Sequence, residues 1–164
     1  MNTVRAAAIF IATAIVPLAS AQDHGDGDGH HVDMIGPIQI SHAFMAMPEP
    51  GAPAVVFFEI DNEGIGDRLL SASSPFAGNA EISGFTLIAG RASWQPVGAV
   101  DVPSGAFTFD PGGLGIVLQD IAPLPAVGGY IDLQLVFEHA GQGMVEVELL
   151  PAGTMEHPHA GHDH

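Results

Sequence analysis

The chain has 164 residues and no cysteine, and its 19 acidic residues against three basic ones give a formal net charge of −16 at pH 7. So acidic a chain repels phosphate backbones and anionic lipid, which disfavours nucleic-acid binding and electrostatic membrane docking and makes cations the natural partners. The lack of cysteine excludes disulfides, thiolate metal sites and thiol catalysis.

Residues 1–21 have the pattern of a secretory signal peptide. Arg5 supplies a positive charge, an apolar run follows, and small residues at 19–21 form a cleavage site. The apolar run is shorter than the ~20 residues that a membrane-spanning helix needs. We therefore expect a periplasmic protein that begins at Gln22 and has no membrane anchor after cleavage. Loss of Arg5 changes the formal charge from −16 to −17.

The next segment, residues 22–35, is rich in histidine, aspartate and glycine, and we expect it to be disordered. The spacing of His24, His30 and His31 lets two imidazoles reach one ion near neutral pH. Cleavage after Ala21 would also make His24 the third residue, where the α-amine, two amide nitrogens and the imidazole suit square-planar copper(II). A calcium loop is the alternative, but no bidentate glutamate follows at the required distance.

Residues 36–152 contain short apolar or alternating runs separated by turn residues. β-branched and aromatic side chains fill the runs, and no stretch shows the 3.6-residue repeat of a helix. One chain of this length buries a single core. The pattern predicts an all-β fold of seven to nine strands, a single antiparallel β-sandwich or barrel, with strands in the runs 37–44, 54–61, 68–73, 79–89, 105–110, 114–120, 130–139 and 144–150.

The first predicted strand and the residues after it contain three candidate copper ligands, His42, Met45 and Met47. Imidazole and thioether groups both bind copper. Strand alternation places Met45 and Met47 on the same face. The alternative is that both methionines fill the core, as methionine readily does, and that His42 is a surface residue.

Residues 153–164 form a second histidine-rich segment, which we also expect to be disordered. Its histidines alternate with acidic, small and proline residues at positions His157, His159, His162 and His164. Solubility does not require histidine, which is mostly uncharged at pH 7, so the pattern favours metal capture over a merely solvating tail. Imidazole binds zinc and nickel as well as copper.

Several sequence motifs within the predicted sandwich, taken in order, resemble those of the periplasmic copper chaperone family PCuAC. The likeness covers about residues 36–150. Its most specific parts are the N-x-G-x-x-D-R-L turn at 62–69, the PGG turn at 111–113 and the F-E-x-A-G sequence at 137–141. The resemblance implies a cupredoxin-type or Ig-like β-sandwich that binds one copper(I) ion and passes it to cytochrome oxidase assembly.

The sequence departs from this family at the metal ligands. The family binds copper(I) through a histidine, a later methionine and a His-x-Met after the PGG turn. The corresponding positions here are occupied by Ser83, Trp94, Gly115 and Val117. None of these residues has a donor atom suited to copper(I), so the resemblance implies the fold but not the family's ligand set.

The sequence therefore predicts an exported copper chaperone or buffer that binds copper through histidines outside the family's usual site. Copper(II) is favoured over copper(I), because nitrogen and oxygen donors outnumber sulfur in the candidate regions. A copper-dependent enzyme or its assembly factor is the expected partner. The alternatives are a zinc-binding periplasmic protein and a sandwich that has lost metal handling and serves as an interaction or structural domain. Catalysis is not expected, since no histidine accompanies a nucleophile.

Overall fold

The computed structural model describes residues 31–156, which form β-strands and connecting turns and contain no helix. Within this range no segment forms a helix that could span a membrane. The all-β class predicted from the alternating runs is confirmed. The strands are β1 Val32–Ile35, β2 Ile38–Ala46, β3 Ala54–Asn62, β4 Asp67–Ser73, β5 Ala77–Ile88, β6 Arg91–Pro96, β7 Val100–Val102, β8 Gly105–Phe109, β9 Leu114–Ile121, β10 Tyr130–Phe137 and β11 Gln142–Leu150.

Three of these strands were not among the predicted runs. β1 lies within residues 22–35, which the sequence assigned to a disordered segment, so regular structure begins before residue 36. β6 contains a single large apolar side chain, that of Trp94, and β7 has three residues. All three strands are too short or too polar to give a clear alternating pattern.

The strands follow the order β6-β5-β9-β3-β2-β11-β10-β4-β7, with β1 added to β2 and β8 added to β3. Adjacent strands are antiparallel with one exception among the described residues. β2 and β11 run parallel, with Phe44 opposite Glu148 and Ala46 opposite Leu150. The carboxyl ends of these two strands therefore meet at the same end of the sandwich.

Alternating side chains divide β3 between two apolar clusters. Val56, Phe58 and Ile60 belong to the large core between the layers. Val55 and Phe57 point the other way, into a smaller cluster that includes Phe44, Val117, Leu150 and the edge of Trp94. Burial of both faces explains why this strand reads as a continuous apolar run in the sequence.

The N-x-G-x-x-D-R-L turn is held by two buried polar side chains. The amide nitrogen of Asn62 donates to the carbonyl oxygens of Ile65 at 2.8 Å and Pro103 at 3.1 Å. Its amide oxygen accepts a hydrogen bond from the Gly64 backbone N–H at 2.9 Å. The side chain is almost completely buried, so these bonds satisfy groups that water cannot reach. Asn62 thus fixes the β3–β4 connection.

Asp67 joins this turn to the F-E-x-A-G sequence. Its carboxylate accepts hydrogen bonds from the backbone N–H groups of Arg68 at 2.6 Å, His139 at 3.0 Å and Ala140 at 2.8 Å. Nδ1 of His139 lies 3.1 Å from the same carboxylate. The His139 ring is mostly exposed to solvent, although it contacts Asp67.

Candidate metal centre

The four positions that correspond to the family's ligands come together on β5, β6 and β9. Ser83 lies opposite Gly115 in the β5–β9 ladder and opposite Pro96 in the β5–β6 ladder. Val117 lies two residues further along β9, and the Trp94 ring reaches Gly115. The fold therefore preserves the meeting point of these positions, although their side chains offer no copper ligand.

Apolar side chains occupy the space that a ligand at position 115 would need. A Cβ atom on Gly115 would overlap Val55 Cγ1 and would lie 3.1 Å from Phe57 Cε1 and 3.3 Å from Trp94 Cη2. The Trp94 ring centre is 5.8 Å from that of Phe57 and 5.5 Å from that of Phe85. A larger side chain at position 115 cannot be accommodated without displacing these groups.

His42 lies at a β-bulge in β2. The pairing of β2 with β3 shifts between Ser41 and Phe44, and His42 has a φ of +51°, in the left-handed region that non-glycine residues rarely adopt. Bulges re-aim side chains away from the regular alternation. The imidazole is only 16% exposed, and its Nδ1 lies 3.2 Å from Glu59 Oε2. His42 is thus a partly buried residue beside a carboxylate.

An open cavity of about 590 Å³ adjoins His42. Side chains with metal-binding atoms in its lining are His42, Glu59, Asp110, Met155 and Glu156. Imidazole nitrogen and carboxylate oxygen suit borderline divalent ions such as copper(II) and zinc. The aromatic rings of Phe44, Phe58 and Phe109 form much of the remaining wall. The cavity therefore combines candidate ligands with an apolar surround.

The two methionines near His42 have different surroundings. Met45 is fully buried in the large core, so its sulfur is not available to an ion without unfolding. This is the packing role given above as the alternative. Met47 follows the last residue of β2, is partly exposed, and lines a second groove on the adjoining face. Of these two methionines, Met47 alone remains a candidate ligand.

His31, the first residue that the structure describes, lies beside two carboxylates. Its Nε2 is 3.0 Å from Glu146 Oε2 and 3.6 Å from Asp33 Oδ1. The backbone N–H of Glu146 also donates to Asp33 Oδ2 at 3.0 Å, which ties β1 to β11. When protonated, the half-exposed His31 side chain forms ion pairs with Glu146 and Asp33.

Residues 31–156 contain no group of three or more histidine, aspartate or glutamate side chains arranged to hold a metal ion. A metal site that includes His31 or His42 therefore needs thioethers or donors from elsewhere in the chain. The remaining candidates, His24, His30, His157, His159, His162 and His164, lie outside the described residues.

The C-terminal segment passes the cavity before the described region ends. A turn at 151–154 is closed by hydrogen bonds from the Thr154 N–H and hydroxyl to the Pro151 carbonyl, at 3.2 and 2.7 Å. Met155 and Glu156 then line the cavity next to His42. His157 follows Glu156 directly in the sequence. Sequence reasoning did not single out Met155, because only the pairing of β2 with β11 brings it near His42.

The LpqE-like lipoprotein family matches residues 38–149, most of the described region. The chain belongs to this LpqE-like, PCuAC-type family. The resemblance to PCuAC domains seen in the 62–69, 111–113 and 137–141 phrases is thereby confirmed. No match was found among curated protein sequences.

Solved PCuAC domains have a similar fold. The copper-bound PCuAC domain from PmoF2 is 27% identical, with a TM-score of 0.58, and the match covers 74% of this chain and 98% of that domain. The apo PCuAC domain from PmoF1 is 25% identical, with a TM-score of 0.62 and coverage of 74% and 99%. The apo PmoF2 domain, at 24% identity and a TM-score of 0.63, covers 77% of this chain and 99% of its own and supports the fold alone.

Proposed function

We propose that this LpqE-like protein is a copper carrier or buffer of the periplasm that holds copper, preferentially copper(II), through histidines outside the family's usual ligand positions. The observation that carries the proposal is the cavity at His42, which lies in a PCuAC-type fold and is lined by Glu156, the residue that precedes His157 in the sequence. A relative of the same fold, the PmoF2 domain, is copper-bound.

The donor atoms at the cavity argue for the oxidised ion. The imidazole of His42 and the adjacent carboxylate of Glu59 supply nitrogen and oxygen, which copper(II) accepts more readily than copper(I) does. Histidines 157 and 159 lie within a few residues of Glu156 and can supply further imidazoles. The large negative net charge raises the local concentration of cations around the whole molecule.

In this role the protein captures copper in the exported space and passes it to a copper-dependent enzyme or its assembly factor, with no catalysis of its own. The signal-peptide pattern of residues 1–21 and the lipoprotein description of the matching family support export. His24, His30 and His31 form a second capture segment at the N-terminal side. Zinc is the alternative ion, because the same nitrogen and oxygen donors bind it.

Competition titration of the mature protein, residues 22–164, with copper(II) tests the proposal. We expect deletion of residues 157–164 to remove a large share of the bound ion, and His42→Ala to weaken the tightest site about tenfold or more, equivalent to ~1.4 kcal/mol. Circular dichroism checks that each variant is folded. A parallel zinc titration identifies the preferred ion.

Ser83→Ala and His139→Gln are the matched controls. Ser83 stands at a family ligand position but has no copper donor, and the His139 imidazole contacts Asp67 away from the cavity. Both variants should bind copper(II) as the parent does. Unchanged stoichiometry and affinity after both the deletion and His42→Ala would refute the proposal. Absence of copper binding by the parent would favour an interaction domain without metal handling.

A further inference from the structure

We propose that the groove next to the His42 cavity is a separate site for copper(I), held between the thioethers of Met47 and Met155 beside the ring of Trp94. This site uses neither the histidines of the proposed copper(II) site nor the four family ligand positions as donors. It therefore goes beyond the proposed function and can be tested apart from it.

The parallel pairing of β2 and β11 brings the two methionines to one groove. Both strands end at the same end of the sandwich, and the Met47 N–H donates to the Leu150 carbonyl at 2.9 Å. The 151–154 turn, with Gly153 at a φ of +80°, then reverses the chain. Met155 follows this turn directly, and both side chains line the same groove.

The groove has the chemical character that a soft monovalent ion requires. Its volume is about 350 Å³, and aromatic rings of Phe57, Phe85 and Trp94 form one wall. Among the described residues that line it, no side chain is an imidazole and Glu49 is the single carboxylate. The sulfur donors are Met47 and Met155. Hard and borderline ions thus find few ligands here.

Copper(I) gains from this arrangement in three ways. Thioether sulfur is a soft donor that matches copper(I) better than copper(II) or zinc. The faces of tryptophan and phenylalanine attract cations, most strongly where water is excluded. The Glu49 carboxylate supplies the negative charge that neutralises a single positive ion. The site takes copper already in the reduced state, so no electron transfer is part of the proposal.

Trp94 provides a direct readout, because it is the single tryptophan of the chain. Silver(I), a soft ion that does not change oxidation state, serves as the probe in a fluorescence titration of the full mature protein. We expect one equivalent to change the Trp94 emission. Anaerobic titration with copper(I) against a chromophoric chelator gives the affinity.

Leucine variants test the two donors, since leucine keeps the volume of methionine and removes its sulfur. Met47→Leu and Met155→Leu should each weaken silver(I) and copper(I) binding at least tenfold and reduce the emission change. Met34→Leu and Met144→Leu are the controls, because these methionines are about half exposed and do not line the groove. They should behave as the parent.

The same titration on protein with His42→Ala and without residues 157–164 separates the two proposals. A Trp94 response that survives these changes, even if copper(II) binding proves absent from the parent, supports the methionine site. A response that disappears with the histidines overturns it, and so does an unchanged affinity in the Met47→Leu, Met155→Leu double variant.

Discussion

Asp67 connects two of the sequence motifs that this chain shares with the family, although the chain lacks the family's metal ligands. Burial alone would raise the pKa of this carboxyl, but the hydrogen bonds from Arg68, Ala140 and His139 outweigh it and leave the pKa below the ordinary value of 3.8. Residues 62–69 and 137–141 are thus linked by a charged group that the fold needs. These motifs therefore indicate the fold, and the metal ligands can differ independently of them.

Replacing Asp67 by asparagine should destabilise the protein. The amide keeps the shape but loses the negative charge that strengthens three backbone hydrogen bonds, and one amide position now presents N–H groups to donors. We expect a loss of about 1–3 kcal/mol in the free energy of unfolding, measured by urea denaturation. Asp101→Asn, at a carboxylate that is 92% exposed and paired with Arg68, should change it by less than ~0.5 kcal/mol.

The lowered pKa of Asp67 also predicts the pH dependence of stability. A carboxyl whose folded-state pKa is depressed contributes stability above its unfolded pKa, and this contribution is lost as the pH falls through the folded value. The stability difference between the parent and Asp67→Asn should therefore be constant near neutral pH and shrink below about pH 4. Urea titrations of both proteins at several pH values measure it. A difference that stays constant down to pH 2 would argue against the assignment.

At the scale of elements, β1 packs closely against the rest of the domain. Val32 to Ile35 pair with Ser41 to Ile38 in an antiparallel hairpin. Ile35 is almost completely buried in the large core. A Cβ atom on Gly143 would lie 2.6 Å from Ile35 Cγ1, which shows how closely β1 approaches β11. The strand is therefore part of the folded domain.

Ile35→Ala should destabilise the domain by about 2–5 kcal/mol, because it removes buried methylene groups and leaves a cavity between β1 and β11. Thermal or urea unfolding measures the effect. Met34→Ala is the matched control on the same strand, since Met34 is more than half exposed, and we expect it to change stability by less than ~0.5 kcal/mol. Equal effects of the two substitutions would indicate that β1 does not contribute to the core.

Much of the sheet could be predicted from alternation, because long strands such as β10 have one buried and one exposed face. β6 and β7 could not, since three to six residues with few apolar side chains carry little periodic signal. The sequence also does not indicate which strands pair with each other. The parallel pair joins β2 to β11 from opposite ends of the domain, and no local pattern indicates it.

The same limits apply to the candidate site. His42 and Met47 could be found from their residue types, and the loss of the family's ligands could be read directly at Ser83 and Gly115. Met45 could not be separated from Met47 by spacing alone, because core burial distinguishes them. Met155 became a candidate only through the tertiary contact between the 151–154 turn and the groove.

For the whole molecule, the excess of negative charge has a consequence for stability. The described residues contain two arginines, and the ion pair of Arg68 with Asp101 is exposed. Repulsion among the many carboxylates therefore opposes the compact state more than pairing supports it.

Raising sodium chloride from about 20 mM to 500 mM should stabilise the metal-free protein, because the Debye length falls from roughly 20 Å to 4 Å and screens this repulsion. We expect the thermal unfolding midpoint to rise by several degrees, measured by circular dichroism at pH 7. Sucrose of matched osmolality controls for solvent exclusion. A midpoint that falls with salt would mean that ion pairs outweigh the repulsion.

β1 and β11 lie along the same edge of β2, which bears on the distance between the two histidine-rich ends of the chain. β1 pairs with residues 38–41 and β11 with residues 44–46, so Ser41 and Ala46, their anchor points, are ~17 Å apart along the strand. The eight residues after Glu156 can extend ~27 Å at most, which exceeds that separation. Under the proposed function, an ion held by one end would therefore meet the other end at an effective concentration in the millimolar range. If both ends bind copper as proposed, recapture by one end of an ion that leaves the other would lengthen the residence time of the ion on the protein without strengthening any single bond.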